Sequence, residues 1–187
     1  MGVIINGIES FSRVYSQLSS IFLDLVFPFQ GSSKKSKFKI SEGCTSLILK
    51  KIESADKHVE VNVGIEDINS AYISTKLPNK EKVIDKVIFN TIKNTDTKEI
   101  DTILSATWEH SINRNIEKCV LEKIFNDNLP PIINIKDKFG ELFSNTGILL
   151  VICAYLRIKS KQSKNILILH YSEDGLFYSG LITRVQT

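Results

Sequence analysis

The chain is poor in the residues that mark special classes of protein. Its 187 residues include four prolines, nine glycines, one methionine, one tryptophan and three histidines, with no long block of either charge. So few chain breakers exclude a disordered or low-complexity polymer. Cys44, Cys119 and Cys153 are odd in number, sit in apolar-patterned segments and lack metal-ligand or redox spacing. They read as packing residues, which fits a reducing compartment. No apolar run approaches the roughly 20 residues that a bilayer span needs. The opening "MGVIINGIESFSR" has neither a basic n-region nor a small-residue cleavage site, so no secretory signal is read there and a cytoplasmic location is expected.

What is present is an ordinary globular balance. Hydrophobic residues make up 42% and charged residues 24%, enough for one domain with a real core. The net charge of +3 arises from 24 basic and 21 acidic residues spread along the chain, so no nucleic-acid partner is implied. The densest basic cluster, "KKSKFK" at 34–39, reads as a solvated loop in preference to an anion-binding patch.

Periodicity then organises the chain. Residues 12–25 carry Val14, Leu18, Ile21, Phe22 and Leu25 at helical spacing, ahead of the aromatic turn "FPF". "CTSLILKKI" at 44–52 and the alternating "HVEVNVGI" at 58–65 read as strands, expected to be neighbours in one sheet. After Pro78, Val83, Val87, Ile88 and Ile92 predict a helix over 80–93, followed by a buried strand at 100–107. A helix at 116–125, a strand at 131–135, a helix at 144–159 and strands at 165–171 and 176–184 complete the expected series. Such alternation predicts an α/β fold with a mixed, mainly parallel sheet and helices packed on it. The 144–159 helix is unusual. From Gly147 to Leu156 it has no polar side chain except the hydroxyl of Tyr155, and a helix apolar all round must be covered on every side. One sheet covers one side, so something else must cover the other.

The order of these segments resembles the β-ketoacyl-acyl carrier protein synthases of the thiolase superfamily, whose fold stacks two similar α/β halves. "INGIESFSR" is similar to the family's "GG-x-(D/E)-x-(L/F)-S-R", and "FPF" with "KFKISEGCTSLILKKI" resembles its "PFD" and "DGFVLGEGAGVLVLEEL", with Glu42 and Gly43 at the "EG". "ISTKLP" resembles the family's "T-x-P". "ILSATWEHSINRNIEK" is similar to "INAHGTGTPLNDATE", "IKDKFGELFSNTG" to "SKPLTGHTLGAAG", and "LILHYSEDGLFYSGLI" to "LVLSYGFGGTNASLVL". The resemblance implies a thiolase-like half. Residues 1–52 correspond to the end of the family's first half, residues 53–187 to its C-terminal half, and the whole folds as a single domain.

At the positions where the family does chemistry, the resemblance implies loss. Thr107 stands at one catalytic histidine and Glu141 at the other, while Asn115 and Lys118 replace an aspartate and a glutamate; Lys136 is retained. His110 lies nearby but is displaced by three positions. The nucleophilic cysteine belongs to the first half, and "GCTSL" around Cys44 reads as a strand, not as the helix N-terminus that activates a thiolate. Acyl transfer with condensation needs that thiolate and positive or hydrogen-bonding groups at the oxyanion. Catalysis is therefore not expected at Thr107, Glu141, Lys136, Lys118 or Glu42, which are vestigial positions. An ion pair of Glu141 with Lys136 or Lys118 is expected to have replaced the old chemistry, and Trp108 to fill the vacated cavity. His58 and His170 have no ligand partner at useful spacing, so no metal or cofactor is implied.

Three functional readings follow. The first is a non-catalytic ketosynthase-like protein that binds through Ile148, Leu149, Val151, Ile152 and Tyr155 of the apolar helix, in the manner of the inactive chain-length subunit of paired polyketide synthases. Its expected partner is a ketosynthase subunit, a separate first-half protein or a second copy, with acyl carrier protein as a further candidate. The second is an acyl-thioester-processing enzyme with altered catalytic residues. The third is a relic of a truncated gene, against which the intact periodicity of every segment weighs.

Overall fold

The computed structural model describes residues 2–9, 43–50, 62–73, 79–107, 112–140, 145–172 and 175–185. Strands β1 (Gly2–Glu9) and β2 (Gly43–Lys50) form a two-stranded antiparallel sheet whose eight residue pairs run from Gly2 opposite Lys50 to Glu9 opposite Gly43. The five remaining strands form a second sheet. They are β3 (Asn62–Tyr72), β4 (Thr102–Ser105), β5 (Ile132–Asn134), β6 (Asn165–Tyr171) and β7 (Leu176–Val185), in the order β3-β7-β6-β4-β5. Strand β7 is antiparallel to both of its neighbours, while β6, β4 and β5 are parallel, so four strands point one way and one points back. This is the mixed, mainly parallel sheet expected from the alternation of strand and helix.

The helices divide between the two faces of that sheet. Helix α1 (Lys80–Ile92) places Ile84, Val87, Ile88, Thr91 and Ile92 on one buried stripe, the 3- and 4-residue spacing that faces a core. It packs beside α2 (Ile112–Phe125) over Ile103, Leu167, Leu169, Phe177 and Leu181. After the single turn α3 (Lys136–Phe139), helix α4 (Thr146–Lys159) packs Leu150, Ala154 and Ile158 against Leu104, Ile166 and Ile182 on the opposite face. All four residues of β4 are buried because both faces of that strand are covered, the environment of an inner parallel strand.

Three sequence expectations are corrected by the fold. The strands read at 44–52 and 58–65 are not neighbours: β2 pairs with β1, and β3 closes on β7 along the edge of the larger sheet. The second of them also runs further than its alternation indicated, to Tyr72, through a bulge between Ile65 and Asp67. Such a bulge twists an edge strand away from open pairing. The helix read at 116–125 begins already at Ile112. The helix expected over 12–25 lies outside the described residues.

Two glycines test the backbone geometry. Gly175, at the turn into β7, has φ +90°, and a Cβ there would stand 2.9 Å from the carbonyl oxygen of Ile73. That same close approach lets Ile73 N donate to Gly175 O at 2.6 Å. Gly147 lies inside α4 with nothing within 4 Å of an added Cβ. Gly175→Ala is expected to lower unfolding stability in denaturant titration by about 1–3 kcal/mol, and Gly147→Ala to raise it by about 0.5–1 kcal/mol.

Candidate functional site

The C-terminal ends of the parallel strands β4 and β5 carry a buried polar cluster. Ser105, Thr107, Asn134, Lys136 and Glu117 are all buried. Alternation along β4 decides where each side chain goes. Ile103 faces the α1–α2 side and Leu104 the α4 side, so Ser105 and Thr107 turn toward α2 while Ala106 turns toward α4.

On α2 the group that meets them is Glu117, only 4% exposed. Ser105 Oγ donates to its Oε1 at 2.7 Å and Thr107 Oγ1 to its Oε2 at 2.6 Å. The Ser105 hydroxyl also accepts from Thr107 N at 3.2 Å, which leaves its proton to point at the carboxylate. Asn134 Nδ2 donates to the Thr107 carbonyl, and Asn134 Oδ1 accepts from Lys136 N at 2.9 Å, so β5 is tied to the end of β4. Burial pushes the Glu117 carboxyl above its ordinary pKa; the Thr107 and Ser105 hydrogen bonds, then the charges of Arg114 and Lys136, pull the other way. Desolvation wins because it penalises the charged form wherever water is excluded.

The residues anticipated from the sequence are placed as follows. Thr107 and Lys136 both belong to this cluster. Lys118 does not: its side chain is 65% exposed and pairs with Glu122 at 3.7 Å, one turn along the same helix. The acid that faces inward is the adjacent Glu117. Ion pairing of Glu141, together with Glu42, Trp108 and His110, lies outside the described residues. Glu117 was legible in principle, since it stands three and four positions before Val120 and Leu121 on the buried stripe of α2. A carboxylate on such a stripe must find partners.

Of the interface residues anticipated on α4, Ile148 and Ile152 lie opposite its buried stripe, and Leu149, Val151 and Tyr155 lie on its flanks. Ile148, Leu149, Val151 and Ile152 are half-buried, and Tyr155 is 36% exposed. Strand β2 supplies part of the second cover that this helix requires. The contact is anchored where Thr45 Oγ1 donates to Asn145 Oδ1 at 2.8 Å, so the Asn145 side chain bonds to β2 and not to its own helix. On the outer side of the helix Leu156 is 55% exposed. The sheet face beneath α4 also runs on beyond it. Alternation puts His170, Tyr178 and Ile68 on the same side as Ile166 and Ile182. There Ile68 and Tyr72 are exposed and the Tyr178 ring stacks on His170 at 6.0 Å.

Among the described residues no group of three metal-ligating side chains occurs, and no helix is long and apolar enough to cross a membrane. No family model matches the chain, and no protein of curated function matches it. Solved structures do. A β-ketoacyl synthase from Burkholderia phymatum superposes with a TM-score of 0.77 at 11% identity, over 99% of this chain and 55% of that one. A keto synthase-chain length factor structure, PfaC, superposes with a TM-score of 0.73 at 17% identity, over 99% of this chain and 20% of that one. The AntDE:AntF complex, a type II polyketide synthase acyl-carrier protein with its ketosynthase, gives 0.70 at 14% identity over 98% and 52%. The chain thus has a thiolase-like ketosynthase fold and spans about half the length, or less, of these similar chains.

Two changes probe the cluster. Thr107→Val removes one of the two donors to a buried carboxylate and should cost about 1–3 kcal/mol in thermal or denaturant unfolding. Because the folded pKa of Glu117 is raised, its protonation favours the folded state. That contribution is complete below the ordinary carboxylate pKa and is lost as pH rises through the folded value. Relative to Glu117→Gln, the natural protein should therefore lose stability between acid and neutral pH; a pH-independent difference between the two melting temperatures would contradict this.

Proposed function

We propose that the chain is a non-catalytic ketosynthase-like protein that works by association with a ketosynthase or with a separate protein resembling the family's first half. The observation that carries this reading is the buried cluster at the ends of β4 and β5. Neither Ala106 nor Thr107 offers an imidazole, and both oxygens of Glu117 are occupied by hydroxyl donors. A one-residue shift of the sequence resemblance would put Ala106 at the histidine and the inward-facing Glu117, in place of the solvated Lys118, at the glutamate. It restores no catalytic imidazole. An oxyanion formed here would lack that histidine, and one missing donor already costs about 2.7–4 kcal/mol.

Association is supported by the apolar surface left at α4 and along Ile68, Tyr72 and Tyr178. Similar solved chains contain about as much protein again, and an acyl-carrier protein is bound to one of the ketosynthases. Carried to this chain, these features fit a subunit that completes its core on a ketosynthase-type partner and modulates it, in a chain-length-factor-like role.

A second reading, an acyl-thioester-processing enzyme with altered residues, draws on the perturbed carboxyl of Glu117 beside Lys136. The hydroxyl bonds that engage both oxygens of Glu117 speak against it. Purified chain incubated with acyl and malonyl thioesters of acyl carrier protein should release no carbon dioxide and form no condensed product. It should form a stable complex with a ketosynthase subunit, and Tyr155→Asp should weaken that complex at least tenfold without changing the circular dichroism. Thioester turnover by the chain alone, abolished by Lys136→Ala, would establish the second reading instead.

A further inference from the structure

The larger sheet ends on β3, which pairs with β7 along one side and, among the described residues, with no strand along the other. Its 11 residues are long for an edge, and none is a lysine or a proline of the kind that blunts an open one. The bulge turns away the first part of the strand. Past it, Ile68 to Tyr72 continue in unbroken register with β7. Backbone alternation decides what this stretch offers. Ile73 N donates to Gly175 O, so Ile73, Ala71 and Asn69 turn their backbone groups to β7. Ile68, Ser70 and Tyr72 turn theirs outward. The side chains of the same three residues are exposed on the α4 side of the sheet, Ile68 at 55% and Tyr72 at 62%.

We infer that this edge pairs with the same edge of a second copy, antiparallel across a two-fold axis at Ser70, joining the two five-stranded sheets into one. Directly opposed side chains lie on the same face of a sheet, so a two-fold axis through it sets one residue opposite itself. With the axis at Ser70, Ile68 faces Tyr72 of the second copy and Tyr72 faces its Ile68. Both exposed apolar side chains of the edge are then covered by aromatic and β-branched pairs. The small Ser70 meets itself at the centre, and Asn69 stands opposite Ala71. Pairing begins just past the bulge, so Glu66 and Asp67 stay outside it. An axis at Ile68 or Asn69 would run the pairing through those carboxylates. This self-complementarity selects a second copy over an unrelated strand. Ile68 and Tyr72 also belong to the surface proposed for a ketosynthase-type partner, so that partner and a second copy compete for them, but the pairing of β3 does not depend on that role.

Analytical ultracentrifugation of the full chain should show a reversible dimer whose dissociation constant Ile68→Lys raises at least tenfold, with an unchanged far-ultraviolet circular dichroism spectrum as the folding control. Cross-linking tests the register. In a chain whose exposed Cys44 and Cys119 are replaced by serine, Ser70→Cys should form an intermolecular disulfide under oxidised glutathione, because Cα atoms opposed in a hydrogen-bonded pair lie about 5.5 Å apart. Glu66→Cys on the same strand would hold its two thiols about 25 Å apart and should not link. A monomer at all concentrations, a dimer that Ile68→Lys leaves intact or that Tyr155→Asp dissociates in its place, or equal linking at positions 66 and 70 would each overturn the inference.

Discussion

The burial of α4 is the constraint around which the structure is arranged. Ten consecutive positions of this helix, from Gly147 to Leu156, offer water nothing but one phenolic hydroxyl. On one side the five-stranded sheet receives Leu150, Ala154 and Ile158. On the other, a second sheet, two strands wide among the described residues, reaches it through β2, tied by Thr45 to Asn145. A two-stranded ribbon is marginal on its own, so β1 and β2 depend on the helix as much as the helix depends on them. On the outer face of α4, Ile148 and Ile152 are half-buried and Leu156 is exposed.

On the far face of the large sheet the same economy of burial produces the polar cluster. Glu117 sits on the buried stripe of α2, where a carboxylate costs several kcal/mol unless partnered. The end of β4 supplies two hydroxyls, and Asn134 fixes the backbone that presents one of them. The result is a hydrogen-bonded network that holds β4, β5 and α2 together. Arg114 and Lys136 lower the cost of the charged carboxyl without removing it.

Strong periodic segments were legible directly. The stripe of α1, the apolar run of α4 and the alternation of β6 and β7 were located almost to the residue, because each is long and patterned by burial on a defined face. Pairing was less legible: β2 joins β1 across the long connection from 10 to 42, and local pattern carries no information about so distant a partner. The site was half legible. Thr107 and Lys136 were found through resemblance, but weak similarity fixes register poorly, and one residue of slip on a helix turns the side chain by about 100°. That slip separates the solvated Lys118 from the buried Glu117.

Static light scattering on the purified chain, as a function of concentration and with a fluorescent apolar dye present, tests most directly whether the outer face of α4 requires another polypeptide. The account predicts self-association or dye binding by the chain alone, both suppressed when a ketosynthase subunit is added. A monomer at all concentrations that binds no dye would show that the chain closes its own core, and would contradict it.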